Sequence, residues 1–236
     1  MKKELVSQEW FSVLEEDFNQ PYFKDLLKDL SKEYGLFKVY PSPKDVFRLL
    51  KETDPSKVRV VIIGQDPYPF GDHADGLAFS SKQQETPASL RTILREVDRD
   101  VIRTENYREF KQIFPTNDLS SWLSQGVFPI NMNLTVRAGT PGSHNNLGWE
   151  RFTGKIIEYL WKQQSPKKVF IAWGEEAKKG LYSNIEDSSN HHVLTAGHPA
   201  TASHGKDLFS GCSHFSKVNH YFYKIKEEPI NWKLSD

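Results

Sequence analysis

Four short apolar runs punctuate the chain: Val58 to Ile63, Val127 to Asn131, Val169 to Trp173 and Val193 to Ala196. Three of them run straight into glycine, at Gly64, Gly174 and Gly197. Continuous β-branched and aromatic runs of this kind read as strands buried on both faces, the habit of parallel sheets. Longer stretches between them carry helical spacing. Phe23, Leu26, Leu27, Leu30 and Tyr34 predict a helix that Gly35 can end. Ser42-Pro43 predicts a helix start leading into Val46, Phe47, Leu49 and Leu50. Leu90, Ile93, Leu94, Val97 and Val101 form an amphipathic stripe, and Asp118 can cap a short helix that Gly126 ends. Trp149, Phe152, Ile156, Ile157 and Leu160 mark a long helix. The alternation predicts an α/β fold, a three-layer α/β/α arrangement with a central, mostly parallel four-stranded sheet. No repeat, low-complexity tract or linker interrupts the 236 residues, so a single domain over 1–236 is expected.

In open α/β sheets ligands sit just beyond the carboxyl ends of the strands. Polar candidates collect there: Asp66 after the first run, Asn131 at the end of the second, Gly174 after the third and His198 after the fourth. Asp66 is a carboxylate on a turn stiffened by Pro67, and Tyr68 and Phe79 offer flat apolar faces that suit a planar ligand such as a nucleobase. Each residue also has an ordinary reading. Asp before proline forms turns, a strand-end Asn bonds its own turn, a loop His bonds backbone, Phe79 packs in a core and Tyr68 sits on a surface. Position alone leaves both readings open.

Composition narrows the class. Apolar content of 37% and aromatic content of 13% suit a globular protein, and no stretch approaches the ~18 apolar residues of a membrane span. Met1 to Trp10 is charged and lacks the apolar core of a signal peptide, so a cytoplasmic, membrane-free protein is expected. The single cysteine, Cys212, reads as a small buried residue and excludes both an internal disulfide and a four-cysteine iron–sulfur cluster. His191-His192 and the His198, His204 and His214 group lack metal-ligand spacing, and no phosphate-cradling glycine motif appears, so neither a metal nor another cofactor is expected. With 31 basic and 31 acidic residues the chain has no bulk electrostatic signature of a nucleic-acid binder, although a local basic face is compatible with zero net charge.

Five segments in order resemble the family 1 uracil-DNA glycosylases. They are Gly64-Gln65-Asp66-Pro67-Tyr68 with Gly76-Leu77-Ala78-Phe79-Ser80; Pro87-Ala88-Ser89-Leu90; Asn131-Met132-Asn133-Leu134-Thr135-Val136-Arg137-Ala138; Trp173-Gly174 with Ala177-Lys178-Lys179-Gly180; and Gly197-His198-Pro199 with Gly211-Cys212 and His214-Phe215-Ser216-Lys217. The resemblance implies hydrolysis of the N-glycosidic bond of deoxyuridine in DNA, with release of uracil and an abasic site, by a monomer. It implies Asp66 and His198 as catalytic residues. Asp66 would position water and oppose the developing sugar cation, and His198 would donate to the base oxygen as it becomes anionic. It implies a uracil pocket of Gln65, through its backbone, with Tyr68, Phe79 and Asn131. One side-chain amide can read the adjacent O4 and N3–H of uracil, where cytosine presents the opposite pattern, while Phe79 stacks and Tyr68 walls off the C5 methyl of thymine. Pro87, Ser89, Gly174, Pro199, Ala202 and Ser203 match the positions that touch DNA, single- or double-stranded. A phage-encoded DNA-mimic inhibitor protein is a further partner the resemblance allows.

The chain departs from the family pattern where DNA is handled. Pro69 stands where the family has His, and Ala200 and Glu175 replace serines that grip phosphates. Ala202 replaces the leucine wedge that holds the flipped state, and Leu208 or Phe209 in the following loop is the candidate substitute. A non-catalytic capture protein and a broader-specificity glycosylase are the competing readings. Asp66 and His198 together argue against the first, Tyr68 against the second.

Overall fold

The computed structural model describes residues 4–186, 191–204 and 208–235, with backbone alone for 202–204. In chain order the described strands are β1 (Val39–Tyr40), β2 (Val60–Gly64), β3 (Val127–Asn131), β4 (Val136–Arg137), β5 (Val169–Trp173) and β6 (His192–Ala196). The described helices are α1 (Gln8–Asn19), α2 (Pro21–Leu36), α3 (Arg48–Glu52), α4 (Ala88–Val97), α5 (Tyr107–Ile113), α6 (Ser120–Leu123), α7 (Trp149–Lys162), α8 (Glu175–Tyr182) and α9 (His214–Lys224). β1 and β4 form a small antiparallel ribbon. The other four strands make the central sheet in the order β3-β2-β5-β6, every neighbouring pair parallel.

The period of two along each strand sorts the apolar runs onto two faces. Val61, Ile63, Phe128, Ile130, Phe170 and Ala172 pack under α1, α2, α3, α7 and α8. Val60, Ile62, Val127, Val169, Ile171 and Trp173 pack under α4, α6, α9 and the C-terminal Ile230, Trp232 and Leu234. This is the three-layer arrangement read from the sequence. The chain steps from β2 to β3 on one side and then crosses to β5 on the other. The strand order therefore reverses between β2 and β5, the place where such sheets open a ligand crevice.

Several local expectations shift. The first central strand runs 60–64, not 58–63. Gly35 lies inside the last turn of α2, and the helix closes one residue later through Phe37 N–H on Glu33 O at 2.9 Å. Ser42-Pro43 starts turns rather than a helix. The Ser42 hydroxyl donates to Asp45 Oδ2 at 2.7 Å and Asp45 N–H returns to Ser42 O at 2.9 Å, so the segment closes on itself and α3 begins only at Arg48. Helices α1, α5, α8 and α9 were not anticipated, although Trp10, Phe11, Leu14 and Phe18 on α1 do carry helical spacing. Cys212 is half-buried rather than buried. No described helix is long and apolar enough to cross a membrane.

Burial also sets a pH dependence. His214 is 2% exposed, and its Nδ1 accepts from Trp173 Nε1 at 3.0 Å. Burial pushes the ring from 6.5 down to about 4. Between those values the unfolded chain binds a proton that the folded chain refuses. The contribution is therefore complete above 6.5 and is lost as pH falls toward 4. The gap corresponds to about 3 kcal/mol. His214→Gln keeps an acceptor for the indole but cannot titrate. Urea unfolding across this range should show the wild type losing about 3 kcal/mol more than the variant; parallel losses would refute the assignment.

Candidate active site

Register brings the first two components together. Gly64 pairs directly with Asn131. A Cβ on Gly64 would lie 2.3 Å from Asn131 Oδ1 and 3.2 Å from Phe79 Cζ, so the amide and the ring edge converge over a residue that must lack a side chain. Asn131 and Phe79 are both nearly buried. Phe79 sits at φ +67°, a left-handed conformation that costs an aromatic residue of order 1–3 kcal/mol. Its neighbours hold it there. Asp75 Oδ1 accepts from Leu77 N–H at 3.1 Å, and Asp75 Oδ2 accepts from the Ser80 hydroxyl at 2.8 Å and pairs with the buried Arg48 at 2.9 Å. The Phe79 ring meets Trp173 at 5.3 Å and His198 at 6.0 Å.

Tyr68 is tied to the backbone of Phe79. Its hydroxyl donates to Phe79 O at 2.9 Å and shares a 2.9 Å hydrogen bond with Ser89 Oγ, and burial pushes its ionisation upward. Tethered at its far end, the ring is fixed in place. Ser89, at a position expected to touch DNA, turns its hydroxyl inward onto this tyrosine and is 5% exposed. Pro87 is buried at the N-terminus of α4.

Asp66 is half-buried and held by three donors. Oδ1 accepts from Asn133 Nδ2 at 2.8 Å; Oδ2 accepts from Gly142 N–H at 2.7 Å and Gln65 Nε2 at 3.3 Å. Gln65 thus contributes its side chain as well as its carbonyl, which accepts from Asn133 N–H at 2.9 Å. Asn133 and Gly142 were not among the expected site residues. The second Asn of Asn131-Met132-Asn133 was a visible signal; nothing in the sequence linked Gly142 to Asp66.

His198 arrives from the end of β6. Gly174 has φ +93°, and a Cβ there would lie 3.0 Å from His198 Cβ, so the glycine lets the histidine close over the end of β5. Ala200 N–H donates to His198 Nδ1 at 3.1 Å. That nitrogen is therefore an acceptor, and the neutral ring carries its hydrogen on Nε2. Burial pushes the ring below 6.5, which keeps it neutral.

The surroundings sort the remaining expectations. Glu175 is 85% exposed and places its carboxylate on Lys178 Nζ at 2.7 Å. Pro199 is buried. The side chains of Ala202 and Ser203 lie outside the described residues. Phe209 is fully buried, edge-on to Trp173 at 5.1 Å, so core packing removes it as a wedge. Leu208 is 74% exposed, and its carbonyl accepts from Gly197 N–H at 2.9 Å.

Comparison with known proteins agrees with this layout. The uracil DNA glycosylase superfamily matches residues 50–223. A uracil-DNA glycosylase of Clostridioides difficile (strain 630) is 37% identical over 98% of this chain and 98% of its own. That of Chlamydia abortus is 40% identical over 95% of this chain and 94% of its own. That of Bacillus subtilis (strain 168) is 36% identical over 99% of both. The crystal structure of mimivirus uracil-DNA glycosylase superposes with a TM-score of 0.81 at 28% identity, covering 98% of this chain and 89% of that one. A mimivirus UNG variant in complex with UGI gives 0.84 at the same identity, covering 98% and 90%. By sequence over its whole length and by fold, the chain belongs to the uracil DNA glycosylase superfamily.

Proposed function

We propose that this protein excises uracil from DNA in base-excision repair, with Asp66 and His198 performing the hydrolysis and Asn131, Phe79 and Tyr68 selecting the base. The observation that carries the reading is the convergence at Gly64. An amide and an aromatic edge meet over a residue with no side chain, a carboxylate follows two residues later, and a neutral imidazole lies beside the aromatic ring. A planar base slotted against Phe79 presents its edge to Asn131. Asn131 and Phe79 are both buried, so in this reading the nucleotide enters extruded from the helix.

The chemistry follows from the two protonation geometries. As the C1′–N1 bond breaks, its electron pair leaves with the base, and negative charge grows on the uracil oxygen. His198 Nε2–H faces it as a neutral donor. A preorganised donor of this kind contributes about 3 kcal/mol to the transition state. Positive charge grows on the sugar, and the Asp66 carboxylate opposes it while orienting water toward C1′. The water oxygen bonds C1′, its proton passes to Asp66, and uracil departs as an anion that solvent protonates. No step needs a metal or another cofactor. We place the enzyme in the cytoplasm as a monomeric single domain. A phage-encoded DNA-mimic inhibitor protein is a further partner in this reading, supported by the complex of a mimivirus UNG variant with UGI. The direct test is a uracil-containing oligonucleotide incubated with the protein and then cleaved by alkali at abasic sites; intact strands would refute the proposal.

Asp66→Asn should lower the single-turnover rate on the order of 10²–10⁴-fold, the range of general acid–base catalysis, and leave binding of uracil-DNA largely intact. An unchanged rate would remove Asp66 from the chemistry and favour a capture protein.

Tyr68→Ala should admit thymine. The tethered ring is a wall that cannot yield, and one methyl group is worth on the order of 10–200-fold in discrimination. Thymine release from T-containing DNA should appear while uracil release slows. Continued uracil excision without any thymine release would show that another group excludes the methyl.

The enzyme should favour single-stranded over duplex substrate, because extrusion from a duplex costs a few kcal/mol and the wedge position holds Ala202. The competing possibility is a substitute wedge, and of the two candidates Leu208 and Phe209 only Leu208 is exposed, beside the end of β6. Leu208→Ala should lower duplex kcat/KM by about tenfold relative to single-stranded kcat/KM, which is 1.4 kcal/mol of lost stacking. Equal effects on both substrates would show that Leu208 does not enter the duplex.

A further inference from the structure

We propose that Asn133 is a positioning residue for Asp66, aiming the carboxylate so that Oδ1 alone is left to take the attacking water. The inference rests on the reading of Asp66 as the water-orienting group. Each carboxylate oxygen accepts about two hydrogen bonds. Oδ2 is filled by Gly142 N–H at 2.7 Å and Gln65 Nε2 at 3.3 Å. Oδ1 receives one donor, Asn133 Nδ2 at 2.8 Å, and keeps one free position. The nucleophile is therefore assigned to a particular oxygen by the protein's own hydrogen bonds.

Asn133 is built for this contact rather than for stability. It is 2% exposed. Its second amide hydrogen goes to Asn145 Oδ1 at 2.7 Å, and its backbone N–H is tied to Gln65 O, so both its side chain and its main chain are anchored. Its Oδ1 is buried with no hydrogen-bond partner. An orphaned buried oxygen is destabilising and calls for a reason. Turning the amide over would not help, because Oδ1 would then face Asp66 Oδ1 and Asn145 Oδ1, acceptor against acceptor. The fold thus tolerates an unsatisfied acceptor so that a donor points at the carboxylate. An apolar residue of similar volume would pack as well and would lose only the aim.

The test separates positioning from structure. Asn133→Leu removes the donor and the orphaned acceptor together. We expect the single-turnover rate on a single-stranded uracil oligonucleotide to fall about tenfold to a hundredfold, the cost of a misplaced catalytic group. We expect KM to stay within about twofold and the thermal midpoint to hold or rise. In an Asp66→Asn background the same substitution should cost nothing further, since the carboxylate it aims is gone. A lowered thermal midpoint with losses that multiply across the two sites would overturn the proposal in favour of a structural role. A strongly impaired Asp66→Asn beside an unimpaired Asn133→Leu would overturn this inference alone, whereas an unimpaired Asp66→Asn would overturn the role of Asp66 and this inference with it. If Asn133→Leu fails to fold, Asn145→Ala replaces it. Asn145 is exposed, and removing its oxygen leaves the Asn133 amide held by Asp66 alone and less firmly aimed; a rate lowered about threefold at unchanged KM supports the proposal, and an unchanged rate refutes it.

Discussion

Strand β2 pairs in parallel with β3 on one side and β5 on the other, and its last residue, Gly64, stands opposite Asn131. Everything in the pocket depends on that pairing. A slip of one residue in a sheet buried on both faces would send every side chain to the opposite core. Here it would also move Asn131 off Gly64. The glycine is required by contact rather than by backbone angle, since any Cβ would strike Asn131 Oδ1 at 2.3 Å. The alternating apolar residues that build the two cores therefore set the register, and the register sets where the Asn131 amide lies relative to the Phe79 ring.

Loops finish the site, and buried polar groups hold them. Arg48, 6% exposed, pairs with Asp75 and Asp118, and Asp75 in turn clamps the turn that forces Phe79 into its left-handed conformation. The segment that supplies Gly142 is fastened in the same way. Trp149 Nε1 donates to Thr135 Oγ1 at 2.7 Å, Thr135 Oγ1 shares a 2.7 Å hydrogen bond with His144 Nδ1, and His144 Nε2 lies 3.3 Å from the Glu33 carboxylate. Arg137 grips the same Glu33 carboxylate with two hydrogen bonds and holds its ionisation below the usual range. Removing one member of such a chain leaves the next with an unmet buried charge or donor, which costs more than the contact itself contributes. Rigidity in the loops is therefore inherited from groups that touch no substrate.

The sequence disclosed what short-range pattern can encode. Parallel strands buried on both faces are continuous apolar runs, so β2, β3, β5 and β6 were legible with ends displaced by a residue or two. Asp66, Asn131, Gly174 and His198 were legible because strand ends mark the rim. Contacts made by folding back were not. Gly142 reaches Asp66 across 76 positions of chain, and Asn133 across 67. Ser42 to Phe47 carries helix-start residues, yet a local side-chain hydrogen bond turns it the other way. Leu208 and Phe209 are adjacent and both apolar; only packing against Trp173 distinguishes the buried one from the exposed one.

Two of the departures from the family pattern, Pro69 and Ala200, fall where the main chain carries the contact. Pro69 offers its carbonyl to Gly139 N–H at 2.8 Å, and that turn precedes the one that delivers Gly142. Ala200 offers its N–H to His198 Nδ1 and so fixes the tautomer that places a hydrogen on Nε2. Neither contact needs a particular side chain, so both positions can change while the geometry around Asp66 and His198 stays. Glu175 departs differently, since its exposed carboxylate is neutralised by Lys178 three residues on, within the same turn of α8. Surface positions such as Glu175 can therefore change without disturbing the geometry around Asp66, Asn131, Phe79 and His198, because those groups are anchored to the sheet and its buried network.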